Sequence, residues 1–188
     1  MSSNLRNYTK ALYSFDHVMK LTNEKTWARK APFPGWTGES IYVHIMDQLK
    51  QVISQATVGK NPKGSVKFGS DPYGAWSKVL DQTLEALDKP GALHSIANEP
   101  FGPEFGSFPL DGLIGFMVAE LVPHTWDLAR TAKVDDRLDE GLCKVALATW
   151  KSLPSEMLRS PDFFGPETKA PKGADAQTRL LLFLGRSV

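Results

Sequence analysis

The stretch PLDGLIGFMVAELVPHTWDLARTA, residues 109–132, is the longest and most apolar helical segment of the chain. Its leucine, isoleucine, valine, methionine and phenylalanine residues occur on every side of a 3.6-residue period, which predicts a helix buried along its whole length. Glu120, His124 and Asp127 continue a stripe that begins with the apolar Leu113 and Met117. A carboxylate buried there without a partner is strongly unfavourable or becomes protonated, so Glu120 requires a polar partner.

Glu120 and His124 lie one helical turn apart, so their side chains can converge on one point. A second helix, which we expect to begin after Thr37, carries His44 and Gln48 on an otherwise apolar face. Two histidines and a carboxylate on two packed helices suit a divalent metal site, and three protein ligands leave a coordination position open. The alternative is an ion pair of Glu120 with His44 or His124 in the core, and the spacing alone leaves both open.

Three further side chains are candidates for the surroundings of this site. Asp127, one turn after His124, either accepts the ring N–H of a ligand or lies on the surface and pairs with Arg130. Gln48 either lines a pocket or caps the bundle core. We expect the Trp36 side chain to serve in packing, and the alternative is that it forms part of the pocket wall.

The composition narrows the function classes. The chain has 188 residues, four histidines, one cysteine and a formal net charge of +1. That charge argues against a nucleic-acid binder, and one cysteine excludes an internal disulfide or a zinc finger. We expect Cys143 to be a buried small apolar residue, His17 to be solvated, and His94 to have no partner at ligand spacing.

The location of the protein is predicted from two observations. Residues 1–10 hold no apolar leader segment, and the longest apolar run, residues 112–122, contains a glutamate and is too short to span a membrane. These observations predict a cytoplasmic protein with no membrane partner.

Capping residues and helix breakers predict the remaining elements. Thr37 caps the second helix, and Asp71 followed by Pro72 opens the third. The predicted helices cover residues 4–28, 37–57, 71–89, 109–132, 135–153 and 177–184. Residues 92–109 are predicted as a loop or a marginal hairpin, and residues 154–174 as an irregular tail. The pattern predicts an all-α fold, a single domain over residues 1–188, built as a four-helix bundle with an up-down core and long connections.

Two segments resemble a known family. PFPGWTGESIYVH, residues 32–44, resembles the Pro-Cys-Pro-x-Trp-Thr segment and following histidine of the DinB-like superfamily, in its mycothiol-dependent maleylpyruvate isomerase branch. AELVPHTWDLAR, residues 119–130, resembles the second signature of that branch, Glu-x-x-x-His-x-Trp-Asp-Leu-Ala. Residues 175–186, which end in Leu-Gly-Arg, are similar to the tail of its short, uncharacterised actinobacterial members.

This resemblance implies a four-helix bundle that holds a divalent metal on His44, Glu120 and His124. It also implies a low-molecular-weight thiol of the mycothiol type that attacks a small electrophile, hence a transferase or an isomerase. Two nitrogens and one oxygen suit zinc first, and also nickel, iron, cobalt or manganese. The competing hypothesis is a helical bundle that binds a metal without catalysis and acts as a stress or interaction module. In this hypothesis the chain can form a homodimer through an apolar helix face.

The sequence departs from the family pattern in two places. Phe33 stands where the family has a cysteine, and Pro123 lies between two of the implied ligands. A proline inside a helix removes one backbone hydrogen bond, so we expect a kink or a widened turn there that re-aims Glu120 relative to His124. We also expect this chain to lack the separate C-terminal domain of the characterised isomerases.

Overall fold

The computed structural model has an all-α fold and describes residues 1–159 and 164–188. Its α-helices are α1 (Ser3–Lys20), α2 (Glu24–Ala28), α3 (Gly38–Val58), α4 (Pro72–Asp88), α5 (Leu110–Ala132), α6 (Glu140–Lys151), α7 (Ser155–Leu158) and α8 (Ala176–Phe183). Strand β1 (Ile96–Ala97) pairs antiparallel with β2 (Phe108–Pro109), so the segment over residues 92–109 contains the predicted hairpin. Within the described ranges, every helix falls short of the length and apolar character needed to cross a membrane.

The predicted caps begin α3 and α4. The hydroxyl of Thr37 accepts the backbone N–H of Ser40 at 3.3 Å, and the hydroxyl of Ser40 accepts that of Thr37 at 3.2 Å. The carboxylate of Asp71 accepts the N–H of Gly74 at 2.9 Å, with Pro72 at the first helical position. These bonds satisfy donors that the first turn of a helix leaves free, so both predicted starts are confirmed.

The single helix predicted over residues 4–28 is wrong, because two helices, α1 and α2, occupy this range. Asn23 lies between them and accepts the N–H of Lys25 at 3.0 Å through its side chain. Its own backbone N–H donates to the hydroxyl of Thr26 at 3.1 Å. This reciprocal cap begins a new helix that the apolar periodicity does not reveal.

The predicted start of the following helix at Asp135 and Asp136 is also wrong. Helix α6 begins after Asp139, whose carboxylate accepts the N–H of Leu142 at 2.9 Å. The earlier two aspartates each pair with an arginine instead and do not cap a helix. Three aspartates within five positions carry the same capping signal, so the sequence alone does not determine which of them begins the helix.

The predicted tail contains a short helix and part of it is not described. Helix α7 lies inside the range 154–174, and the predicted irregular residues 160–163 lie outside the described residues. The short closing helix is confirmed as α8.

Four helices pack in a ring in which α1 contacts α5 and α4, and α3 contacts α4 and α5. Ser2 and Asn4, at the start of α1, bond to Asp111 at the start of α5, so these two helices are parallel. In contrast, Trp76 near the start of α4 donates to Asp16 near the end of α1 at 3.0 Å, so α4 runs antiparallel to α1.

Helices α3 and α4 are parallel to each other. Gln55, near the end of α3, accepts the N–H of Asn98 at 2.9 Å, close to where α5 begins. The connection between α3 and α4 then returns along α3, where Asp47 bonds to the hydroxyl of Ser65 and accepts the N–H of Val66 at 2.6 Å. The predicted up-down core is therefore wrong, because this connection crosses the length of the ring and makes the order up, down, down, up.

Helix α5 is the centre of the fold. It packs against α1, α3 and α6, and α8 packs on α6. The only exposed positions between its first residue and Ala132 are Gly112 and Arg130. The prediction of a helix buried along its length is confirmed, and it explains why polar groups on α5 need partners from other elements.

The α-helix continues through Pro123 without interruption, so the widened turn predicted there is wrong, and the alternative of a kink stays a prediction. A proline has no N–H to donate to the carbonyl one turn earlier, that of Ala119. The indole N–H of Trp150, on α6, donates to the Ala119 carbonyl at 2.9 Å. A side chain thus supplies the hydrogen bond that the backbone cannot, and it joins α6 to α5 at the level of Glu120.

We predict that Trp150→Phe destabilises the protein by about 1–3 kcal/mol beyond any loss of packing, because it leaves the buried Ala119 carbonyl unpaired. Pro123→Ala restores a backbone donor to that carbonyl. In the Pro123→Ala background, Trp150→Phe should therefore have a smaller effect. Urea unfolding of the four proteins in this cycle measures the difference. An equal effect of Trp150→Phe in both backgrounds would contradict the assignment.

Candidate metal centre

Helices α3 and α5 bring together the three residues that the sequence singled out. The Nε2 atom of His44 lies 3.1 Å from a carboxylate oxygen of Glu120, and the ring centroids of His44 and His124 are 4.9 Å apart. One potential ligand atom from each of the three side chains lies within 4.8 Å of the others. This group could hold a metal ion. The 3.1 Å contact between His44 and Glu120 also fits the alternative of an ion pair, so both interpretations of the spacing stand.

Gln48 lies beside two of these side chains. It follows His44 by one turn of α3, and its amide nitrogen is 3.0 Å from His44 Nε2. The same nitrogen donates to Glu120 at 2.8 Å. Of the two interpretations of Gln48, the structure favours the pocket, because this side chain orients the Glu120 carboxylate toward His44 and also lines a cleft.

Asp127 orients the ring of His124. One carboxylate oxygen of Asp127 lies 3.0 Å from His124 Nδ1. An ionised carboxylate only accepts hydrogen bonds, so Nδ1 carries the proton and donates it. In the neutral ring Nε2 then has the free lone pair, which is the form that binds a metal.

Arg186 holds Asp127 in place. Its guanidinium donates to the Asp127 carboxylate through Nη2 at 2.7 Å and Nε at 3.0 Å. Both side chains are at most 1% exposed. The alternative that placed Asp127 on the surface beside Arg130 is wrong, because Arg130 pairs with Asp136 at 3.2 Å instead.

Trp36 covers the histidine pair on the side of the preceding loop. Its ring lies parallel to that of His124 at a centroid distance of 5.2 Å. It meets the ring of His44 edge-on at 5.0 Å. Phe33 packs edge-on against Trp36 at 5.1 Å and lies under the Arg186 guanidinium at 5.2 Å. Trp36 therefore serves both packing and the wall of the site.

The charges favour the protonation states that a metal requires. Burial raises the pKa of the Glu120 carboxyl, but the hydrogen bond from His44, the electrostatic interaction with the two nearby imidazoles and the hydrogen bond from Gln48 outweigh it and hold that pKa below its ordinary value. Burial similarly opposes ionisation of Asp127, and the Arg186 charge overcomes it and keeps the pKa low. Burial lowers the pKa of His124 despite the opposing effect of Asp127. At neutral pH the carboxylates are ionised and His124 is neutral, as metal ligation requires.

A cleft of about 900 Å³ reaches His44, Gln48 and Glu120. The His44 side chain is 33% exposed and that of Glu120 12%, whereas that of His124 is only 7% exposed. A small molecule entering the cleft would thus meet the first two ligands directly. Three protein ligands beside an open cleft are typical of catalytic metal sites.

The remaining histidines and the cysteine lie apart from this group. His17 and His94 are exposed, so the predicted solvation of His17 is confirmed. Cys143 is fully buried, and burial raises the pKa of its thiol to about 12. Its predicted role as a small apolar core residue is confirmed, since a thiol with such a pKa is protonated and unreactive at neutral pH.

Comparison of the chain with protein-family models, with curated proteins and with solved structures found no match. The resemblance to the DinB-like superfamily therefore rests on the two signatures and the tail. The geometry of the site is independent of that resemblance, because it follows from the distances and burial of the side chains themselves.

Arg186 is the participant that the sequence did not indicate. No spacing relates residue 186 to Asp127, and the only signal was the Leu-Gly-Arg ending noted in the resemblance.

We predict that Arg186→Met destabilises the protein by about 3–5 kcal/mol, because it leaves the Asp127 charge buried and unpaired. The exposed ion pair of Arg130 provides the matched control, and Arg130→Met should have an effect of about 1 kcal/mol or less.

Chemical denaturation of both variants measures this difference. In the double variant Asp127→Asn with Arg186→Met, part of the stability should return, because no buried charge is left unpaired. Equal stability of Arg186→Met and Arg130→Met would disprove the structural role of the buried pair.

Proposed function

We propose that this chain is a DinB-like four-helix-bundle metalloenzyme that binds one divalent ion through His44, Glu120 and His124 and transfers or isomerises a small electrophile with the help of a thiol. The observation that carries the proposal is the convergence of these three side chains, two of which, His44 and Glu120, line an open cleft. The ring of α1, α3, α4 and α5 supports the bundle assignment. The two sequence signatures support the branch.

The donor set determines which chemistry is available. Two imidazoles and one carboxylate suit zinc, and nickel, iron, cobalt or manganese are also compatible. Such an ion acts as a Lewis acid and lowers the pKa of a coordinated thiol or water. The thiol must come from a second molecule, because Cys143 is buried and its pKa is about 12.

The surrounding side chains contribute orientation. Asp127 and Arg186 fix the tautomer and the direction of the His124 ring through hydrogen bonds that are fully buried. Gln48 holds the Glu120 carboxylate by a bond of 2.8 Å. Trp36 restricts rotation of His124 by stacking against its ring. A site whose ligands are held this firmly changes little in geometry when an ion enters.

The competing function is a metal-binding bundle without catalysis. The position of Gln48 favours it, since this amide lies within 3.0 Å of both His44 and Glu120 and so stands next to the position that an external ligand of the ion would take. The two functions differ in whether the ion accepts an external ligand, and turnover distinguishes them.

We predict that the purified protein binds one divalent ion per chain and that His44→Ala, Glu120→Ala and His124→Ala each weaken zinc affinity by at least about 100-fold, because each removes a ligand. His94→Ala is the matched control and should leave the affinity unchanged, since His94 is exposed and outside the site. Elemental analysis and competition with a chromogenic chelator provide the measurements. Unchanged metal binding by His44→Ala would disprove the ligand assignment.

We further predict that the zinc-loaded protein accelerates the attack of a low-molecular-weight thiol on 1-chloro-2,4-dinitrobenzene or a related electrophile. In that reaction the thiol sulfur replaces chloride, and chloride and a proton are released. Chelation or Glu120→Ala should abolish the acceleration, whereas His94→Ala should retain it. If a broad panel of thiols and electrophiles shows no turnover by protein that binds zinc, the non-catalytic bundle is the correct function.

A further inference from the structure

The cleft that reaches the candidate metal centre has an aromatic wall. Phe101 lies 4.7 Å from Phe116, 6.1 Å from Phe108 and 6.2 Å from Phe105, measured between ring centroids. All four rings line the cleft, and Phe105 is 43% exposed. Partly exposed phenylalanines clustered in a concave surface are typical of a ligand site, because a folded protein ordinarily buries such rings.

The cleft follows one face of α5 to the metal ligands. Gly112, Phe116 and Glu120 recur every four residues, so they lie on one stripe of the helix. Eight residues of α-helix correspond to about 12 Å, which is the length of a two-ring molecule. Neighbouring side chains pack closely on both glycines of this face: a Cβ atom at Gly112 would approach the Phe108 ring to 3.3 Å, and one at Gly115 would approach the Asn4 amide to 2.9 Å.

The cleft also lacks positive charge away from the metal ligands. Among its described lining residues there is no lysine or arginine, and Glu120 is the only acidic residue. The opposite wall is formed by Val145, Thr149 and Leu153 of α6 and the turn that follows it. An anionic group here would lose its hydration without gaining a counter-charge, which is strongly unfavourable.

We propose that the cleft binds the electrophile through a neutral, apolar portion, an aromatic ring system or an alkyl chain of similar length, while its polar end faces His44 and Glu120. The role of the ligand as an electrophile rests on the proposed function. The preference for a neutral apolar ligand rests on the cleft alone.

Two fluorescent probes that differ by one charged group test the proposal. N-phenyl-1-naphthylamine is neutral, and 8-anilino-1-naphthalenesulfonate is the same molecule with a sulfonate. Titrations use the full chain after chelation, so that an ion does not attract the sulfonate. We expect the neutral probe to bind at least tenfold more tightly to the wild type. Equal affinity, or tighter binding of the sulfonate, would overturn the proposal.

Three variants assign the binding to this cleft. Gly112→Leu places a side chain against the Phe108 ring of the aromatic wall, at an exposed position where leucine favours the helix, and it should weaken the neutral probe at least tenfold. Thr149→Lys adds a positive charge to the wall and should shift the preference at least tenfold toward the sulfonate. Val58→Lys is the control, because Val58 is 65% exposed and does not line the cleft. Circular dichroism establishes that each variant is folded.

Failure of this inference and failure of the proposed function give different results. If zinc binds with the predicted dependence on His44 but Gly112→Leu and Thr149→Lys leave both probes unchanged, the cleft assignment is wrong and the metal site stands. If the probes respond as expected but no metal binds, the proposed function is wrong and the apolar ligand site stands. His94→Ala should retain the neutral probe, since His94 is exposed and does not line the cleft.

Discussion

The buried helix α5 imposes the constraint on which the rest of the structure depends. It carries Glu120, His124 and Asp127 on one stripe in the interior, where each polar group needs a partner. No neighbour on α5 itself satisfies them all, so three other parts of the chain supply partners: His44 and Gln48 from α3, Arg186 after α8, and the Trp36 ring from the loop before α3. The need of these polar groups for hydrogen-bond and packing partners therefore determines which segments pack against α5 and at which level along the helix.

Much of the fold was predictable wherever a local signal determines local structure. The caps at Thr37 and Asp71 set the starts of α3 and α4, and the apolar run of α5 predicted its burial. The signal failed where two local patterns competed: the period of α1 continued past Asn23, and three aspartates offered a cap for α6. The up-down order failed for a different reason, because the loop that Asp47 draws back along α3 is stabilised by contacts that no periodicity encodes.

The residues of the candidate site likewise fall into those that the sequence predicted and those that it did not. His44, Glu120 and His124 could be predicted from the sequence, because each is a polar residue on an otherwise apolar helix face and so departs from the pattern around it. Arg186 was not, since its partner Asp127 is 59 positions away and an arginine near a short helix has an ordinary surface interpretation. The aromatic cleft was missed because Phe101, Phe105 and Phe108 lie in an irregular connection, where partly exposed apolar residues have no periodicity to indicate a common face.

The two sides of the candidate centre differ in rigidity, and this difference follows from where their residues lie. On the His124 side, a buried ion pair, a hydrogen bond and a stacked ring fix the imidazole within the core. On the His44 side, the side chain is 33% exposed and faces a cleft whose aromatic wall comes largely from the connection before α5. Substitutions in that connection can alter ligand preference without disturbing the helices that hold His124. The fold thus places the residues that orient His124 in the core, and most of the aromatic residues of the cleft in a connection between helices.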